Sequence, residues 1–222
     1  DVYKAVRYSD ARHVAIKVEH KDASDILDRE YKIYKKLHMR RCKIGIPRVY
    51  EFIQTDDYNI MSMEMLGDNL DNIFNEHNKQ FSVGTVMYLG IDILRIMERV
   101  HDAGFVHRDI KPNNFLVGNN RHSVYLLDFG LSKEYIDNTG KHMKETFGHS
   151  IVGTARYSSI NMHLGIEPSR RDDLESIGYM LIYFAKGSLP WQGQNTDGNK
   201  KNMFDNIGKI KLSTEFETLC DG

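Results

Sequence analysis

Six side chains in the sequence carry groups that could act together on a charged substrate: Lys17 in Val14-Ala15-Ile16-Lys17, then Glu30, then Asp109, Lys111 and Asn114 within the run His107 to Asn114 (HRDIKPNN), and Asp128 in Asp128-Phe129-Gly130. The carboxylate and amide oxygens of Asp128 and Asn114 are hard donors. Lys17 and Lys111 bring ammonium groups, point charges that can meet an anion. Such a set positions and neutralises charge rather than attacking a substrate covalently. Each member alone has a plainer explanation: a surface Lys–Glu pair contributes little, and Asp or Asn commonly serves a turn. His107 and Phe129 are expected to pack, and Cys42 has no catalytic partner to recommend it.

The elements that must hold these groups change character along the chain. Val2 to Val6 and Val14 to Val18 are β-prone runs joined by a polar turn, which predicts a hairpin. Ala23 to Met39 reads as a helix with Ser24 as its N-cap and a basic end; Arg48 to Ile53 and Tyr58 to Met65 read as further strands. A small antiparallel sheet carrying one helix is the simplest product. After Gly67, Ser82 is placed to cap a helix to about Asp102, with Val86, Leu89, Ile93, Met97 and Val100 on one face and Gly104 at its end. Phe115 to Val117 and Val124 to Leu127 are short β-prone pieces. Leu131 to Ile166 reads as one irregular stretch, longer than a compact domain tolerates without a use for it. Ser169 begins a second strong helix, with Asp172 and Asp173 in the first turn where its dipole favours them.

Composition narrows the classes. The 222 residues hold 30 Lys plus Arg against 31 Asp plus Glu, a formal net charge of −1. Near-neutrality disfavours a dedicated nucleic-acid or membrane-surface binder, since both are polyanions. Apolar residues make up 41% and charged residues 27%, which is globular usage and excludes disorder as the default. Two cysteines, Cys42 and Cys220, cannot build a disulfide framework. No apolar run is long enough to span a bilayer. The expectation is a monomer of the cytoplasm or nucleus, binding neither membrane nor nucleic acid. The basic run from Lys32 to Lys43 is expected to be a solvated helix end.

The order VAIK, Glu30, HRDIKPNN, DFG resembles that of the eukaryotic protein kinases. Matching the nine side chains that HRDxKPxN and DFG specify by accident has odds below roughly 10⁻⁹ at average usage. Tyr58 to Leu70, KPNNFLVG and Gly153 to Gly193, with Ser159-Ile160-Asn161 where most protein kinases have Ala-Pro-Glu, are similar to the casein kinase I branch. The resemblance covers essentially the whole chain. It implies an α+β, two-lobed catalytic domain: residues 1–66 forming a lobe of antiparallel sheet plus one helix, and residues 67–222 forming a larger, mainly helical lobe. It implies ATP and Mg²⁺ as cofactors and protein Ser or Thr hydroxyls as acceptors. Lys17 would hold the α- and β-phosphates, with Glu30 steadying it. Asp109 would accept the hydroxyl proton, and Lys111 would neutralise the transferred phosphate. Asn114 and Asp128 would bind the metal ions. The adenine would lie between Val2 and Ala15 on one side and Leu116 and Leu127 on the other, with Met63 behind it and the backbone of Glu64, Met65 and Leu66 as hinge. Asp173 resembles the residue that anchors the catalytic loop from below.

The same resemblance implies acidic or already phosphorylated protein segments as substrates, met by a cationic pocket of Arg156, Gly193 and Lys200 or Lys201. Met203 stands where relatives carry the pocket's lysine. A second basic cluster resembles Arg108 with Lys133, and His149 stands where relatives carry a third cation. Arg108 ordinarily wants an anion, which Thr146, Ser150 or Thr154 could supply when phosphorylated, although this branch is expected to need no such modification. Val2 looks like the last valine of a glycine-rich phosphate hairpin, so the chain is expected to be an internal piece of a longer kinase. Two other classes remain open: a non-catalytic kinase-like nucleotide- or protein-binding module, and a small-molecule phosphotransferase sharing only the Asp–Asn–Asp core.

Overall fold

The structure is a computed structural model that describes residues 1–22, 25–119, 123–150, 152–193 and 200–221, with the side chain of Lys200 outside the description. Strands β1 (Val2–Val6), β2 (His13–His20), β3 (Val49–Gln54) and β4 (Tyr58–Glu64) form a four-stranded antiparallel sheet in the order β1-β2-β4-β3. Lys17 is registered opposite Val2 on one side and Met61 on the other, and Ala15 opposite Lys4 and Met63. Side chains alternate along a strand, so Ala15, Lys17, Met61 and Met63 share a face. Helix α1 (Ile26–Met39) covers that face. Its buried positions, Leu27, Glu30, Ile33, Tyr34 and Leu37, follow helical spacing with one carboxylate inside the apolar stripe. The helix opens at Asp25 without a side-chain cap bond, and Ala23 and Ser24 lie outside the described residues.

The basic end of α1 is more than a solvated tail. Lys36 and Arg40 both pair with Glu134, and Arg40 also donates to the carbonyl of Ala103, while Lys32 pairs with Asp28 on its own helix. These ties fasten α1 to the second lobe.

Beyond β4 the molecule is mainly helical: α2 (Leu70–Glu76), α3 (Val83–Asp102), α4 (Ile160–His163), α5 (Arg170–Lys186), α6 (Lys200–Ser213) and α7 (Phe216–Cys220). The Ser82 hydroxyl accepts the amide of Thr85 at 3.1 Å, so the expected cap is in place. Gly104 follows α3 at φ +82°, where a Cβ would collide with Ile136. Two short ladders, β5 (Phe105–Val106) with β8 (Lys133–Glu134) and β6 (Phe115–Val117) with β7 (Val124–Leu126), bracket the segments 107–114 and 127–132. The stretch 131–166 is therefore not wholly irregular, since it contains β8 and α4; two- and four-residue elements carry too little periodicity to be read locally. Helices α2, α6 and α7 were likewise not expected. One apolar core runs through both lobes, from Leu27 and Tyr34 through Phe129 and Phe115 to Phe184 and Trp191. Among the described residues no helix is long and apolar enough to cross a membrane.

Candidate active site

Lys17 on β2 and Glu30 on α1 meet because the strand and the helix pack face to face. The Lys17 Nζ donates to Glu30 Oε2 at 2.6 Å and to Asp128 Oδ1 at 3.3 Å. Burial opposes the Lys17 ammonium, but the carboxylates of Glu30 and Asp128 more than offset it, and its pKa lies above the ordinary lysine value. Burial likewise pulls the Asp128 carboxyl up, and the Lys17 charge prevails, leaving it below the ordinary aspartate value. Both groups are thus ionised at neutral pH. Asp128 sits at φ +65°, a conformation that non-glycine residues adopt at some cost. The hydroxyl of Tyr34 on α1 accepts its amide at 3.3 Å.

The loop after β5 is built from below. Asp173 in the first turn of α5, 2% exposed, accepts the amide of His107 at 2.8 Å on Oδ2 and that of Arg108 at 2.9 Å on Oδ1. His101 on α3 adds a contact to Oδ2 at 2.9 Å. Arg108 lies at φ +69°, and two successive amides held by one carboxylate keep it there. His107 is fully buried against Phe129, with its Nε2 at 3.0 Å from the Leu127 carbonyl and its Nδ1 at 3.3 Å from the Asp109 amide. A carbonyl only accepts and an amide only donates, so the proton sits on Nε2. His107 and Phe129 pack, as expected.

Above this support three residues bond the oxygens of Asp109. Lys111 Nζ donates to its Oδ2 at 2.5 Å, Thr154 Oγ1 donates to its Oδ1 at 2.9 Å, and Asn114 Nδ2 donates to its backbone oxygen at 2.8 Å. Gly153, at φ +81°, lets the chain bring Thr154 in: a Cβ there would stand 2.6 Å from the Arg108 carbonyl.

A cavity of about 490 Å³ opens between the lobes. Its lining includes Val2, Ala15, Lys17, Met63, Glu64, Met65, Leu66, Leu116 and Leu127, which are all nine residues expected to touch a nucleotide, together with Asn114 and Asp128. The apolar walls and the charged end suit a flat ring with a polyanionic tail. Asn114 Oδ1 accepts no hydrogen bond among the described residues, because its amide nitrogen is the atom tied to Asp109. No cluster of three His, Cys, Asp or Glu side chains fit for a metal occurs among the described residues. One carboxylate and one amide oxygen suit Mg²⁺, which keeps several waters and shares phosphate oxygens instead of filling a protein cage.

The cationic pockets expected for substrate come out differently. Arg156 lies over the rings of Tyr157 and Tyr183, at 5.8 and 5.5 Å from their centres, and its carbonyl accepts Trp191 Nε1 at 2.8 Å. That bond brings the turn ending at Gly193 beside Arg156. Lys201 is exposed on α6, Met203 packs partly against the core, and the segment between Gly193 and Lys200 is outside the described residues. The second cluster is not an open pocket. Glu167 stands within it, at 2.9 Å from Arg108, 3.1 Å from Lys133 and 3.3 Å from His149. Burial works against that carboxylate, but Lys133, Arg108 and His149 hold its pKa below the ordinary value of 4.5. Glu167 gives Arg108 an anion without any change to Thr146, Ser150 or Thr154.

Sequence reasoning passed over Glu167, His101, Tyr34 and the bond from Thr154 to Asp109. Only Tyr34 left a local sign, a polar hydroxyl within the apolar stripe of α1. A family model described as protein kinase domain matches residues 1–220. With the lysine–carboxylate pair, the supported loop and the two-lobed cleft in place, the chain belongs to the protein kinase family.

Proposed function

We propose that this protein kinase domain is a serine/threonine kinase of the casein kinase I type, which transfers the γ-phosphate of ATP to Ser or Thr hydroxyls in acidic or phosphate-bearing protein segments. The observation that carries this is the Asp109 carboxylate, with Lys111 at 2.5 Å and Thr154 at 2.9 Å, tied by its backbone oxygen to Asn114, which lines a cavity with Lys17 and Asp128.

Phosphoryl transfer depends on position and charge. Lys17, held by Glu30, is placed for the α- and β-phosphates, and Asp128 and Asn114 would hold Mg²⁺. The bound nucleotide supplies the phosphorus centre: a bond from the acceptor oxygen to it forms as its bond to the β-phosphate oxygen breaks. Asp109 orients the acceptor hydroxyl and takes its proton. Lys111 offsets negative charge on the phosphate in flight, and its place two residues after Asp109 supports Ser and Thr over Tyr. Arg156, with Lys200 or Lys201, would meet a substrate anion, because Glu167 occupies the other cluster.

Asp109→Asn tests the assignment. Transfer to casein or an acidic serine peptide should fall at least 10³-fold, about 4 kcal/mol of transition-state stabilisation, while MgATP still raises the melting temperature. A variant that keeps its activity sinks it, and a wild type that binds MgATP without transfer selects the non-catalytic module. In the same assay, a peptide with phosphoserine three residues before the target should be turned over faster than its unphosphorylated twin; equal rates refute the preference for primed segments.

A further inference from the structure

Lys211 on α6 is 3% exposed, and nothing in the phosphate chemistry above uses it. Its Nζ donates to the carbonyl of Ala155 at 3.0 Å and to that of Ser158, and it lies 4.6 Å from the ring centre of Tyr179 and 5.0 Å from that of Trp191. No carboxylate is within ion-pair distance of it among the described residues. Glu175, the acidic group acting on it, has its Oε1 occupied by the Ile160 amide and the Tyr179 hydroxyl, each at 2.7 Å. A buried ammonium without a counter-ion is expensive. In this place it obtains two carbonyls of a single turn and two aromatic faces.

That turn runs from Thr154 to Ser158. Thr154 reaches Asp109, and the Thr154 carbonyl closes the turn by accepting the amides of Tyr157 and Ser158 at 3.0 and 3.1 Å. The carbonyls of Ala155, Arg156 and Ser158 are all taken from beneath, the first and last by Lys211 and the middle one by Trp191. Removing Lys211 would leave two of them without a donor, directly under Arg156.

We propose that Lys211 is a positioning residue: it clamps the turn 154–158 so that Thr154 and Arg156 keep one geometry beside Asp109, and so sets the affinity for the protein substrate. This rests on the protein-substrate assignment above. The titratable and charged groups around it are Glu175 and Tyr179 on α5, His163 on α4 with Asp205 beside it, and Arg156 in the turn. Burial pushes the Lys211 ammonium down to about 7. Burial and the Lys211 charge push His163 down to about 4, and burial pushes the Tyr179 hydroxyl far up. Of these displaced groups only Lys211 titrates near neutrality. The clamp is therefore charged below about pH 7, and above it the neutral amine keeps two weaker N–H donors, so its hold on the turn loosens as the pH rises through that value.

The test measures KM and kcat for an Asp/Glu-rich serine peptide without phosphate, whose charge is constant from about pH 6.5 to 8.5. Lys211→Met should raise the peptide KM about tenfold, leaving the KM for ATP within about twofold. The wild-type peptide KM should climb several-fold across the pH range, whereas Lys211→Arg, charged throughout and able to offer two donors, should stay near the low-pH value. A Met variant with an unchanged peptide KM overturns the proposal, and so does an Arg variant that keeps the wild-type rise. Should the Met variant show no thermal shift with MgATP and so be unfolded, the Arg variant and the wild-type pH series decide. Should the wild type transfer no phosphate to the peptide, the substrate assignment has failed and the clamp is judged by amide hydrogen exchange. Residues 154–159 should then exchange about tenfold faster in Lys211→Met than in the wild type, and unchanged protection overturns the clamp.

Discussion

At the scale of single residues, two carboxylates of the site, Asp109 and Asp173, are each given more than one donor. Asp173 is the clearest case, because its two oxygens hold consecutive amides across a left-handed Arg108 and also meet His101. Asp173→Asn keeps the shape but turns one acceptor into a donor facing the His107 amide. Leaving buried donors unmatched costs about 3 kcal/mol. For a chain of this length that lowers the melting temperature by about 6–12 °C. kcat should fall about 10²-fold, as Asp109 loses its fixed position, with the KM for ATP little changed. Calorimetry and steady-state kinetics check both parts; a variant with wild-type stability and kcat would show that the loop needs no such anchor. Asp173 was recognisable in advance only as an acidic residue in the first turn of a helix and by its resemblance to a loop anchor. Its partners His107 and His101 are 66 and 72 residues away, and no local pattern announces them.

At the scale of elements, Glu167 ties the segment between Asp128 and α5 to Arg108, Lys133 and His149. The Glu167 amide also donates to the Thr146 carbonyl at 3.0 Å, tying the loop back on itself. Glu167→Gln preserves the hydrogen-bonding shape and removes the charge, leaving Arg108, Lys133 and His149 facing one another. The expected loss is about 2 kcal/mol at neutral pH, or about 4–8 °C in melting temperature. The sign with pH follows from the carboxyl being held below 4.5 in the folded protein. Its contribution is complete above that value and disappears as the pH falls through the lower folded pKa, so the gap between wild type and variant should close in acid. Melting curves from about pH 3 to 7 check this, and a gap that widens in acid would contradict it. Elements with strong local signals were legible: Ser82 caps α3, Ser169 and Asp172 open α5, and β2 and β4 are β-prone runs. Helix α6 was not, because its sequence is largely polar and carries Gly208 at its middle. That glycine has a tertiary cause, since a Cβ there would stand 2.9 Å from the Cβ of His163 on α4.

For the whole molecule, the cavity draws Val2, Ala15, Lys17 and Met63 from one lobe and Leu116, Leu127 and Asp128 from the other. A nucleotide bound there stabilises both lobes at once, by about 2.7 kcal/mol at a hundredfold excess over Kd, which is about 5–10 °C in melting temperature. Lys17→Met should lose most of that shift, and differential scanning with and without MgATP measures it; a full shift in the variant would place the phosphates elsewhere. The motif letters alone pointed to the protein kinase family, because the identities of Lys17, Asp109, Asn114 and Asp128 limit what their atoms can do. They also determined most of the long elements, since apolar periodicity and capping act over a few residues. Only the folded chain decided which charges meet: Glu167 with Arg108 across 59 residues, Thr154 with Asp109 across 45, and Lys211 with Ala155 across 56. Such pairings follow from how helices and loops stack around a shared core, and that energy is spread over contacts far apart in the chain.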